Sequence, residues 1–150
     1  AGMNEWEMLL KFAEKGGFDC FLLAGRYTLL DYSALEKLLP ACSKNEISII
    51  IGGPYNSGIL ASDLSKASTY FYEPSPSDVI EKAKKIKKIC DSFNVPLKAA
   101  ALQFGLNHSS AASTIPGPRT PHEIEENIKM LTYKIDSSLW KELKDKNLIP

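Results

Sequence analysis

Three short apolar runs constrain the fold more than anything else in this chain. They are the centre of residues 18–27 (Phe21-Leu22-Leu23-Ala24), then Ile47-Ser48-Ile49-Ile50-Ile51, then residues 111–115. Each is the length of a strand, and the first two are nearly unbroken. A continuous apolar run of this length predicts a strand buried on both faces, as in a parallel sheet. The segments between them repeat their apolar residues at helical spacing. Residues 4–15 carry Trp6, Leu9, Leu10 and Ala13, with Asn4 and Glu7 spaced as a cap-and-return pair and Gly16-Gly17 as a stop. Ser33 and Glu36 repeat that pair and predict a helix through about residue 42. Residues 75–93 place Val79, Ile80, Ala83, Ile86, Ile89 and Phe93 on one side. Further helices are predicted over 96–106, 123–131 and 137–146. Short buried strands alternating with amphipathic helices imply a parallel sheet with right-handed crossovers.

Three strands are few for a free-standing doubly wound sheet. They suit part of a (β/α)8 barrel, which typically needs about 250 residues. The 150 residues are therefore read as a single domain that is incomplete as a barrel. Residues 55–75 have no clean period and contain the aromatic run Tyr70-Phe71-Tyr72. That is long for a connection inside a compact domain, which predicts a functional loop.

Eighteen basic and eighteen acidic residues cancel, so no general field favours nucleic acid or a membrane surface. The five lysines between 82 and 88 lie opposite Ile86 and Ile89 and read as a solvated helix face. Cys20, Cys42 and Cys90 form neither a disulfide framework nor a zinc pattern. With no apolar run near the roughly 20 residues of a bilayer span, they suit a cytoplasmic protein. His108 and His122 have no metal ligand at useful spacing, and no nucleophile elbow surrounds Ser109 or Ser110.

In parallel α/β folds, ligands sit at the C-terminal ends of the strands. Three segments fall there: Gly25-Arg26-Tyr27-Thr28, Gly52-Gly53-Pro54-Tyr55-Asn56-Ser57-Gly58, and residues 115–127. In the last, Pro116, Pro118 and Pro121 stiffen the turn. Thr120 suits an N-cap, Pro121 the first helical position, and Glu123 the return of a capping box. A helix N-terminus behind such a turn favours an anion, although a plain strand–helix junction has the same chemistry. Arg26 suits a phosphate or carboxylate, or equally a salt bridge to Asp31. Tyr27 and Tyr55 suit ring stacking or the core.

Four segments together resemble the aldo-keto reductase family, more narrowly its sugar-dehydrogenase branch. They are Leu23-Ala24-Gly25-Arg26-Tyr27-Thr28-Leu29-Leu30-Asp31, Gly52 through Ala61, Val95-Pro96-Leu97-Lys98-Ala99-Ala100-Ala101-Leu102-Gln103-Phe104, and Ile115 through Asn127. The resemblance implies an α/β fold made of strands six to eight, with their helices, of a TIM barrel. It implies the C-terminal, cofactor-binding half of an oxidoreductase acting on a sugar or aldehyde, with NAD or NADP extended across the strand ends. Pro54, Tyr55, Asn56, Ser57, Gly58 and Leu60 would take the pyrophosphate through backbone amides. Ile115, Pro116, Gly117 and Arg119 would take the adenosine ribose or its phosphate, and Glu126 and Asn127 the adenine.

The chain also departs from the family pattern. Gly117 and Glu123 stand where many members carry a Lys and an Arg that grip the 2′-phosphate, which favours NAD. Gly52 stands where many carry an aromatic under the nicotinamide, leaving Tyr55 as the substitute. The family's catalytic Asp, Tyr, Lys and His have no counterpart among these residues, so the chain alone is expected to be inactive and to need a complementing N-terminal half. The other reading is a non-catalytic nucleotide-binding or structural half-barrel that forms a homodimer.

Overall fold

The computed structural model describes residues 1–64, 69–70 and 73–150. Its strands are β1 (Gly2–Met3), β2 (Cys20–Ala24), β3 (Ser48–Gly52), β4 (Thr69–Tyr70), β5 (Glu73–Pro74) and β6 (Ala111–Ile115). Its helices are α1 (Trp6–Lys15), α2 (Leu38–Lys44), α3 (Ser77–Ser92), α4 (Leu97–Phe104), α5 (Pro121–Leu131) and α6 (Ser137–Asp145). The main sheet has the order β1-β2-β3-β6, and every pairing in it is parallel. β4 and β5 form a separate antiparallel pair within the long connection. Phe71 and Tyr72 of the aromatic run lie outside the described residues.

The three expected strands are present, and the sheet adds a fourth. β1 is two residues long, too short to show a period, and pairs Gly2 with Leu22 and Met3 with Leu23. The expectation that the strands are buried on both faces is corrected. Phe21, Leu23, Ile49 and Ile51 are at most 1% exposed, whereas Leu22, Ala24 and Ile50 are only half-buried and Cys20 is exposed. The buried set faces the helices; the alternate set has no second layer over it among the described residues. In β6 no residue is fully buried.

The helix layer closes one face with Leu9 and Ala13 of α1, Leu38, Leu39 and Cys42 of α2, Ala83, Ile86 and Cys90 of α3, and Leu139 and Leu143 of α6. α4 is buried almost all round, as its alanine-rich sequence permits. Just after it, Gly105 lies so close to the sheet that a Cβ there would stand 3.1 Å from Ile51 Cγ1. α5 differs from the rest: none of its residues is buried, and Ile124, Ile128 and Leu131 are 48%, 58% and 41% exposed.

Two expected helix starts move. The Asn4–Glu7 pair makes no cap; Glu5 takes the N-cap position without a side-chain bond, and the Asn4 carbonyl accepts from Arg26 Nε. The Ser33–Glu36 pair does not open a helix either. The Ser33 amide and hydroxyl both donate to Asp31 Oδ1, residues 33–37 form turns, and α2 begins at Leu38. Pro40 supplies the reason: inside a helix starting at residue 33 it would remove an amide and clash with the carbonyl of Glu36, but in a first turn it is tolerated. The N-terminus of α5 is as read, with Thr120 as cap and Pro121 at the first position. Free Cys20, Cys42 and Cys90 form no disulfide. No helix among the described residues is long and apolar enough to cross a membrane.

Candidate functional site

Register brings the strand-end segments together. Ala24 pairs with Gly52, and Gly52 with Ile115, so β2, β3 and β6 end level. Two more bonds carry the ladder past the ends: the Gly25 amide donates to the Gly52 carbonyl at 3.0 Å, and the Gly53 amide to the Ile115 carbonyl at 3.2 Å. Gly53 turns the chain with a φ of +59°, a value that suits glycine.

The loop that follows winds tightly. Asn56, Ser57 and Gly58 have φ values of +48°, +58° and +96° in succession. Asn56 N donates to Gly53 O, Gly58 N and Leu60 N to Tyr55 O, and Ile59 N to Asn56 O, at 3.0–3.3 Å. Three of the amides that the resemblance assigns to an anion, those of Asn56, Gly58 and Leu60, are therefore engaged within the loop, and Pro54 has none. An anion here would have to share those bonds. Pro54, Tyr55, Asn56 and Leu60 are buried, and Gly58 is the exposed point of the turn. Asn56 is 4% exposed, and neither its Oδ1 nor its Nδ2 has a hydrogen-bond partner among the described residues. A buried amide left in that state costs about 1–3 kcal/mol.

The second loop is more open. Ile115 is 46% exposed, Gly117 turns the chain at φ +69°, and Arg119 points into solvent. The Glu123 amide donates to Thr120 Oγ1 at 3.2 Å, which is half of a capping box. The other half reaches one residue further. Glu123 Oε2 accepts the Arg119 amide at 2.6 Å, and Oε1 accepts its guanidinium at 3.1 Å. These bonds, the backbone one foremost, hold the Glu123 carboxyl below the usual carboxylate range. Glu123 is thus not an isolated negative charge at the turn, and Arg119 is not an uncommitted cation.

The two loops are tied through their side chains. The Tyr55 hydroxyl donates to Asn127 Oδ1 at 2.6 Å. Burial, and secondly the Glu126 carboxylate, push the Tyr55 phenol well above its ordinary pKa, so it remains a donor. Lys98 Nζ meets Glu126 Oε2 at 2.7 Å. Sequence reasoning missed Lys98 as a partner of this site. It lies 28 residues away on α4, and only the packing of α4 against α5 brings it near. Tyr55 is placed as a strut between the loops, 8% exposed, and not as an open ring face.

The remaining candidates separate from this group. Arg26 Nη1 pairs with Asp31 Oδ2 at 3.0 Å, so the salt-bridge alternative is the one formed. Tyr27 is a core ring, 5.2 Å from the Phe104 ring and 5.8 Å edge-on from the His108 ring. Burial lowers the His108 pKa, and its Nδ1 accepts the Ser110 amide. No cluster of three potential metal ligands exists among the described residues. What the geometry offers at the ends of β3 and β6 is a pair of turns joined by a part-buried tyrosine–asparagine hydrogen bond and flanked by two ion pairs.

The model of the aldo/keto reductase family matches residues 2–148. A pyridoxal 4-dehydrogenase of Microbacterium luteolum is 36% identical over 99% of this chain and 43% of its own length. A D-threo-aldose 1-dehydrogenase of a Pseudomonas species is 34% identical over 96% of this chain and 44% of its own length. The chain spans about half the length of the curated relatives it matches. Among solved structures, the apo form of an aldo-keto reductase from Bacillus halodurans superposes with a TM-score of 0.74 over 99% of this chain and 50% of its own, at 16% identity. That last likeness concerns the fold.

Proposed function

The chain belongs to the aldo/keto reductase family, and from that premise we propose that it carries the dinucleotide-holding part of an NAD(P)-dependent oxidoreductase acting on a sugar or aldehyde. In this reading its sheet corresponds to the C-terminal part of a (β/α)8 barrel. The observation that carries the proposal is the pair of strand-end loops locked side by side by the Gly53–Ile115 and Tyr55–Asn127 hydrogen bonds. A dinucleotide is extended, and it needs two adjacent backbone turns at fixed spacing. The Asn56 amide supports the fit, since a buried donor and acceptor without partners gain from a polar ligand or a loop adjustment that reaches them.

The residues then divide by role. Gly53 and Gly58, which carry no side chain, and Ser57 between them present backbone at the first turn. Gly117 lets the second turn approach a ribose. Asn127 keeps its amide nitrogen for an adenine acceptor while Tyr55 holds its oxygen. Arg119 is the group nearest in chemistry to a 2′-phosphate, but its bonds to Glu123 must be broken or shared first, which favours NAD over NADP. When bound, the nicotinamide supplies or accepts the hydride exchanged with a carbonyl carbon. The relatives named for a pyridoxal and an aldose support an aldehyde or sugar as the other reactant. Tyr27 is a core ring and His108 is half-buried with its Nδ1 taken by the Ser110 amide; neither is given a proton-transfer role, and turnover is assigned to residues outside these 150 positions.

Isothermal titration of the purified chain with NAD and then NADP tests this. Saturable NAD binding with a Kd below about 1 mM, tighter than for NADP, is the expected result. No heat from either dinucleotide with a folded chain would refute it. Steady NAD reduction with L-fucose by homogeneous material would refute the assignment of turnover elsewhere.

A second reading, a non-catalytic half-barrel that pairs with another copy, is favoured by one observation. β6 is a sheet edge that ends in the exposed Ile115, and on α5 Ile124, Ile128 and Leu131 form an exposed apolar strip. Such edges and strips associate. Light scattering after size exclusion distinguishes a discrete dimer from a monomer.

A further inference from the structure

Apart from the loops that follow β3 and β6, the molecule holds a half-open cavity of about 370 Å³ lined by Tyr27, Leu35, Phe104, Asn107, Trp140 and Lys144 and by residues 149–150. None of these residues belongs to the 52–60 or 115–127 segments. The volume falls in the range of small-molecule sites, about 300–1,000 Å³. Its walls are aromatic. Tyr27 and Phe104 have ring centroids 5.2 Å apart at 42°, and Phe104 and Trp140 are 6.3 Å apart at 46°. Tyr27 and Phe104 pack on each other and are 6% and 5% exposed, so each shows little of its ring to the cavity; the half-buried Trp140 is the ring with most face left for a flat guest. Trp140 and Lys144 are one helical turn apart on α6, so they share a side of the helix. Lys144 has no ion pair among the described residues, whereas its neighbour Lys146 pairs with Glu142. Asn107 adds an exposed amide beside it.

An aromatic slot with one uncommitted ammonium at its mouth is complementary to a flat apolar ring that carries a negative group. We propose that this cavity is a binding site for a small planar aromatic carboxylate, separate from the dinucleotide cradle. The ring packs on Trp140 beside the buried Tyr27 and Phe104, and the carboxylate meets Lys144 and Asn107.

The chain contains two tryptophans, Trp6 and Trp140, which makes the test internal. Indole-3-carboxylate is titrated into the full chain while both tryptophan indole N–H resonances are followed by NMR. The expected result is a saturable shift of the Trp140 signal with the Trp6 signal fixed. Lys144→Gln, an exposed helix position, should weaken indole-3-carboxylate about five- to tenfold, the scale of one charge-assisted hydrogen bond. It should leave binding of neutral 3-methylindole unchanged. The proposal is overturned if both signals drift together, if nothing saturates by about 10 mM, or if Lys144→Gln binds the carboxylate as the parent does. None of these readouts uses NAD, so they stand apart from the dinucleotide proposal.

Discussion

Tyr55→Phe isolates the link between the two loops. The substitution keeps the ring in the core and removes one hydroxyl, the donor of the 2.6 Å bond to Asn127 Oδ1. Tyr55 is 8% exposed, so its hydroxyl is largely desolvated whether or not it is bonded. Asn127 is half-buried, and its freed oxygen can take water. The loss is therefore the net value of one neutral hydrogen bond, about 1 kcal/mol, and not the larger penalty of a trapped unpaired group. In a chain of this size that lowers Tm by roughly 3 °C. The effect should not vary with pH between about 5 and 9, because the phenol stays protonated there in both the folded and unfolded states. Burial raises its folded pKa further. Urea unfolding of Tyr55→Phe, Asn127→Ala and the double variant gives the coupling directly. A coupling of about 0.5–1.5 kcal/mol is expected, with NAD binding weakened several-fold in each single variant because the turns lose their spacing. A coupling within about 0.3 kcal/mol of zero would mean that the two loops are not joined in solution, and the reasoning behind the cradle would fail.

Other outcomes follow from single contacts. Gly105→Ala places a methyl 3.1 Å from Ile51 Cγ1 in a closed part of the core, and should cost about 1–3 kcal/mol in urea unfolding. Asn56→Gly removes both the orphaned amide and a side chain at φ +48°, so it should raise Tm while weakening NAD binding; unchanged NAD affinity would remove Asn56 from the site. Glu123→Gln should shift relative affinity towards NADP by releasing Arg119, which paired titrations would show. It should also flatten the acid limb of stability. The Glu123 pKa is depressed in the fold, so its contribution is present above the unfolded value, about 4.3, and is lost as pH falls through the lower folded value. A Tyr27→Phe change, by contrast, should leave NAD titrations as they are, since Tyr27 touches Phe104 and His108 and not the loops.

β2 and β3 were legible in the sequence as short, nearly unbroken apolar runs, and β6 as a short segment ending in Ile115 before a Pro/Gly turn. Ile47 to Ile51 reads as β3 because such a run has no better use. β1 was not legible, since two residues have no period and Gly2–Met3 is a strand only because Leu22 and Leu23 lie beside it. The capping chemistry of α5 was legible at Thr120 and Pro121, because an N-cap is local. The same signature at Ser33 misled, because Asp31 took the hydroxyl and Pro40 ruled out the helix that the signature promised.

By itself the sequence determined the parallel α/β class, the family, and which glycines and prolines would stand at the strand ends. These depend on spacing along the chain, and spacing is what a sequence records. Only the tertiary structure decided how those segments interact. It engaged the loop amides internally, turned Tyr55 from a ring face into a strut, closed Glu123 onto Arg119, and brought Lys98 to Glu126. It also left α5 with an uncovered apolar strip and formed a half-open cavity beside Trp140 that no motif marks. The physical reason is the same in each case. Hydrogen bonds, ion pairs and cavities belong to pairs of groups far apart in sequence, and folding alone fixes which groups meet.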